Sequence, residues 1–137
     1  MRPANWPEIL AAEIAAADGV PFAWGRHDCF TWAARVVRKL GGPELAAMAG
    51  AWGDEAGALR AVMARGRDLE EAVAALCAQA GLQAVPVAFA QRGDLVVLRS
   101  PRGPLCGVCN GRVAMGVAET AGLLPLPMAL ALRAWAI

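Results

Sequence analysis

Cys29, Trp32, Ala33, Val36, Val37 and Leu40 recur at offsets of 3, 4, 7, 8 and 11 residues, a spacing that puts all six on one stripe of a helix. A stripe so apolar has to be buried, and it constrains the fold more than any other feature of the chain. Asp28 stands where an N-cap belongs and Gly41-Gly42 where such a helix stops. Cys29 therefore falls in the first turn, beside the positive end of the helix dipole, where a thiol pKa is lowered. Two readings of Cys29 stay open at this point: a nucleophile, or a small hydrophobe on a buried stripe, the commoner fate of free cysteine.

The rest of the N-terminal half is also helical in pattern. Asn5-Trp6-Pro7-Glu8 reads as a capped start for a helix to about Ala17, with Asn5 as cap and Glu8 reaching back. Residues 20–26 form a loop holding Phe22, Trp24 and Gly25. Gly42-Pro43-Glu44 opens a short helix to about Met48, and two more span Asp54 to Arg65 and Asp68 to Gln79. After Gly81 the period changes. Arg92-Gly93-Asp94 is a turn, Leu95 to Arg99 a buried strand, and strands near Cys106–Cys109 and Arg112–Gly116 flank Asn110-Gly111, a hairpin signal. An extended piece reaches Leu124, and Pro127 at a first helical position predicts a closing helix from Met128 to Trp135. Helices first and an antiparallel meander second predict an α+β fold, in one domain spanning residues 1–137.

Composition narrows the function classes. A formal net charge of +1 gives no basic face for nucleic acid, and the Arg35, Arg38 and Lys39 group belongs to a helix C-terminus. No apolar run approaches the roughly 20 residues of a membrane span, and Glu8, Glu13 and Asp18 interrupt any signal-peptide core. The four cysteines are then expected as cytoplasmic thiols. With 58% hydrophobic and 18% charged residues, the chain has more apolar surface than its own core can absorb, which predicts a subunit of a larger assembly.

Phe22-Ala23-Trp24-Gly25-Arg26-His27-Asp28-Cys29, followed by Arg92-Gly93-Asp94-Leu95-Val96-Val97 and the closing Arg133-Ala134-Trp135, resembles the NlpC-type cell-wall peptidases. These are papain-like, and the match is closer still to a family of phage and prophage proteins encoded among tail genes. The resemblance implies a papain-like fold with N-terminal helices packed on a small antiparallel sheet. It also implies a cysteine peptidase layout in which the helix-start thiol attacks a peptide carbonyl of peptidoglycan and a strand histidine is the base. The chain departs from that layout. Where the histidine belongs it reads Pro104-Leu105-Cys106-Gly107-Val108-Cys109, and its one histidine is His27.

The candidate site is accordingly Cys29, His27 and Asp28, with Trp24 as a substrate-binding residue. His27 could serve Cys29 as a base, or instead donate to a carbonyl or pair with a carboxylate and hold the loop. Cys106 and Cys109 form a C-x-x-C, but a structural zinc needs four ligands, and an odd separation in a strand sends the two side chains to opposite faces. No metal and no cofactor is expected. The functional expectation is a phage or prophage tail-tip or baseplate component, made in the bacterial cytoplasm and assembled into the virion tail. Its expected partners are other tail-tip proteins, with peptidoglycan as a further one and hydrolysis lost or vestigial. Two alternatives stand beside it: an active peptidoglycan peptidase or amidase using Cys29 and His27 as DNA enters, and a small cytoplasmic enzyme or binding module.

Overall fold

The computed structural model describes residues 1–137. Five helices come first: α1 (Trp6–Ala17), α2 (Cys29–Lys39), α3 (Leu45–Ala49), α4 (Glu55–Met63) and α5 (Leu69–Gln79). Six strands follow: β1 (Ala84–Val85), β2 (Leu95–Leu98), β3 (Leu105–Cys109), β4 (Val113–Ala118), β5 (Gly122–Pro127) and β6 (Ala131–Trp135). They form one antiparallel sheet in the order β1-β6-β2-β3-β4-β5, so the fold is α+β.

The apolar stripe of α2 lies on the sheet as its spacing requires. Trp32, Ala33, Val36, Val37 and Leu40 are fully buried. They share one core with Leu10 of α1, Leu76 and Cys77 of α5, and Leu95, Val97, Cys106, Val108 and Trp135 of the sheet. The opposite face, with Val96, Leu98, Cys109, Ala114 and Ala134, is covered by the short segments around Val87 and Met128. Period-2 alternation explains the split, and the C-x-x-C cysteines go to opposite faces, Cys106 to the helical side and Cys109 to the other.

Three local expectations need correction. Residues 128–135 are not a helix: Met128–Leu130 is a single 3₁₀ turn and Ala131–Trp135 is strand β6, seated between β1 and β2. Its pairing fills the open edge of β2 and buries Ala134 and Trp135, a tertiary gain that outweighs the helix propensity of this segment. Pro127 ends β5, and both prolines of that strand sit at the edge of the sheet, where a missing N–H is tolerated. Asn5 precedes α1, but its side chain makes no cap hydrogen bond; its carbonyl accepts from the N–H groups of Glu8 and Ile9 instead. The β3–β4 turn lies one residue later than its signal. The N–H of Asn110 donates to Val113, leaving Gly111 and Arg112 central, with Gly111 at φ 94°, a glycine at the first central position as in a type II′ turn.

Candidate functional site

The loop before α2 is built around one carboxylate. Ala23 and His27 exchange backbone hydrogen bonds of 3.1 and 2.8 Å, closing a tight loop with Trp24, Gly25 and Arg26 at its tip. Gly25 has φ 77°, and a Cβ there would stand 1.8 Å from the carbonyl oxygen of Trp52, so the loop requires glycine. The buried Asp28 side chain caps α2 by accepting from the N–H of Thr31 through Oδ1 at 2.7 Å. Its Oδ2 accepts from the N–H of Gly25 and from Nε1 of Trp52, each at 2.8 Å. Asp28 therefore holds loop, helix and the Trp52 segment together. Its contacts are positional: Oδ1 holds the helix start and Oδ2 holds the loop and Trp52.

Cys29 is the first residue of α2 and packs against the core that contains Cys106 of β3. Hydrogen bonding from Cys106 does most to hold the Cys29 thiol below its ordinary value, against burial. The N–H groups of Cys106 and Phe30 support the same sulfur. Cys106 moves the opposite way, well above the ordinary thiol range, first because it is the donor to Cys29 and then because it is buried. Cys77, wholly inside the core, is pushed up to about 12 by burial. Of the two thiols, Cys29 is therefore the first to ionise as pH rises.

His27 is not part of this pair. Its ring lines a second, smaller cavity of about 300 Å³ beside the end of α1, shared with Glu13, Ala17, Arg26, Trp32 and Arg35. Its Nε2 and the Nε1 of Trp32 are buried without a hydrogen-bond partner. Burial, and then the Arg35 charge, hold the imidazole below its ordinary value, with Asp28 opposing. His27 is absent from the lining of the groove that Cys29 reaches.

The groove itself, about 660 Å³, runs from the Cys29 helix start between α4, α5 and the β3–β5 end of the sheet. Trp24, Trp52, Val62, Leu69 and Leu105 give it apolar walls, with Arg65, Arg102 and Glu119 also on its lining. Trp24 lines the same groove as Cys29 and meets Phe22 edge to face at 4.8 Å. Cys29 is the one cysteine that reaches this groove.

Two participants escaped sequence reasoning. Trp52 looked like packing but supplies a donor to Asp28, and Cys106 looked like half of a C-x-x-C but answers Cys29. The second had a legible signal, since it lies in the segment Pro104–Cys109 where the NlpC resemblance leads one to expect a histidine.

No group of three or more metal-ligating side chains comes together anywhere in the chain, and no helix is long and apolar enough to cross a membrane. No curated protein matches the sequence. A family model described as a domain of unknown function, DUF6950, matches residues 1–137 in full, and the chain belongs to that family.

Proposed function

We propose that this protein is a phage or prophage tail-tip or baseplate component on a papain-like, NlpC-type scaffold, with the hydrolytic machinery lost and the groove kept for binding. One observation carries the reading. Cys29 opens on the groove and packs against the core that holds Cys106 of the facing strand, while the sole imidazole lines a different cavity. Acyl transfer by a cysteine needs a base that can take the proton and return it to the leaving amine. A thiol whose pKa is pushed far up by burial and by its neighbour does neither at neutral pH.

Several further features agree. Helices packed on an antiparallel sheet, with a cysteine opening the buried helix, are what the NlpC resemblance implies. The apolar groove walls around Trp24 and Trp52 suit a short peptide such as a cell-wall stem. Leu59 and Met63 of α4, together with Phe89 and Leu132, remain exposed on the isolated chain, in keeping with contacts to other tail proteins. Production in the bacterial cytoplasm and incorporation into the virion tail belong to the same proposal.

Two assays decide it. Muropeptide release from purified peptidoglycan is expected to be the same for the wild type and Cys29→Ala, at the level of a no-protein control. Particles induced from a strain carrying the gene are expected to contain the chain at a fixed ratio to the other tail proteins. Release that vanishes in Cys29→Ala would favour the active peptidase instead, and absence of the chain from the particles would refute the tail assignment.

A further inference from the structure

We propose that the cavity beside the end of α1 binds a small monocarboxylate, acetate to butyrate in size, with His27 and Trp32 as its buried donors and Arg26 and Arg35 as its exposed cations. The cavity holds about 300 Å³ and shares no lining residue with the Cys29 groove, so nothing here depends on the tail reading. Two of its lining side chains carry polar atoms that the fold leaves unused. His27 is 6% exposed and Trp32 0%, and Nε2 of the first and Nε1 of the second have no hydrogen-bond partner. Buried polar atoms in that state are rare and carry a free-energy cost that a bound acceptor removes.

The residue types define the ligand. An indole N–H can only donate, and a neutral imidazole donates when its proton is on Nε2, so a group with two acceptor oxygens serves both. Arg26 and Arg35 line the same cavity, and both are exposed. Neither is in a salt bridge, so both guanidinium charges are available to an anion. The one hydrogen bond of Arg35, to the carbonyl of Arg26 at 3.4 Å, is long and leaves most of its N–H groups unused. Its charge is already felt at the His27 ring. Glu13 decides between carboxylate and phosphate. It lies on the cavity wall, 8% exposed and paired with Lys39, and it repels a dianion twice as strongly as a monoanion. Ala16, Ala17, Val20, Pro21 and Ala23 complete the lining, an apolar surface for a short alkyl chain.

The test is an NMR titration of the full chain with sodium propionate at neutral pH, with sodium chloride holding the ionic strength constant. His27 is the sole histidine, so its ring C–H signals need no further assignment, and the Trp32 indole N–H is identified by its loss in Trp32→Phe. Both signals are expected to shift and saturate with one Kd, of about 1 mM for so small a ligand. Arg35→Gln, a change at an exposed position, is expected to raise that Kd about tenfold by removing a charge-assisted contact. If Trp32→Phe fails to fold, the His27 signals and Arg35→Gln still decide. A cavity that holds only water would leave the His27 signals in place up to about 100 mM propionate, two orders of magnitude above the expected Kd. That result, or an Arg35→Gln variant that binds like the wild type, would overturn the site. Inorganic phosphate binding as tightly as propionate would overturn the choice of a monocarboxylate.

Discussion

Replacing Asp28 by alanine is expected to lower the unfolding free energy by about 4 kcal/mol, a large part of the roughly 5–15 kcal/mol that holds a domain of this size. The buried carboxylate satisfies three donors at once: the N–H of Gly25, the N–H of Thr31 and the Trp52 indole. Alanine leaves all three part-buried donors without their acceptor, and each unsatisfied donor costs about 1–3 kcal/mol. Loss of the α2 cap is contained in that figure. Asparagine should recover only part of the loss, because its amide nitrogen must face a donor on one side or the other. Urea unfolding followed by circular dichroism measures this directly, and a midpoint drop of about 2 M is expected for a slope of about 2 kcal/mol/M. A double-mutant cycle with Trp52→Phe should show strong coupling, since the two side chains share one hydrogen bond. A loss under about 1 kcal/mol for Asp28→Ala would show that the carboxylate does not organise the loop.

The second large effect is expected at the chain termini. Arg2 donates Nη2 to Asp94 at 2.9 Å, Nε to the carbonyl of Ile137 at 2.8 Å and Nη1 to that of Arg92 at 2.7 Å, while its guanidinium lies 4.4 Å from the Trp6 ring. Asp94 also accepts from the N–H of Gln91 and of Ile137. The two side chains are only 16% and 6% exposed, so the pair ties both ends of the chain to the start of β2 with little solvent screening. Gly93 leaves room for it, since a Cβ there would stand 2.9 Å from the guanidinium. Arg2→Ala is expected to cost about 3 kcal/mol, because it strands a buried carboxylate, and the loss should depend little on added salt. The Arg2→Ala, Asp94→Ala double variant should lose clearly less than the sum of the singles. Additive losses, or a cost that 1 M salt abolishes, would place the pair among ordinary surface ion pairs.

These two carboxylates show what the sequence discloses and what it withholds. Asp28 and Asp94 both stand in the motifs that carry the NlpC resemblance, and the cap at Asp28 was legible from its position before the stripe. The partners were not. Trp52 and Arg2 reach them from 24 and 92 residues away, and no local pattern encodes a contact at that distance. The α2 stripe and the opposed faces of Cys106 and Cys109 followed from periodicity, because side-chain direction is fixed by backbone repeat, and the burial of β2 followed from its unbroken apolar run. Residues 128–135 did not. Met-Ala-Leu-Ala-Leu-Arg-Ala suits a helix in isolation, and only the free edge of β2, assembled from residues far upstream, makes it a strand. The site divides along the same line. The thiol at a helix start was readable, whereas its facing partner depended on the register of β3 against α2. His27, two residues from Cys29 in sequence, lines a different cavity.

Cys29 alone among the cysteines reaches solvent, so the pH dependence of its alkylation by iodoacetamide reports which group controls it. The rate follows the thiolate: it rises with pH and levels off above the pKa. With Cys106 as the donor, the wild-type midpoint lies below that of an ordinary thiol. It is expected to move to higher pH in Cys106→Ala, where the thiolate loses its main hydrogen bond, and to stay in place in His27→Ala. A midpoint that shifts with His27→Ala and ignores Cys106→Ala would mean that the imidazole governs the thiol after all, and the assignment of Cys106 as its partner would be wrong.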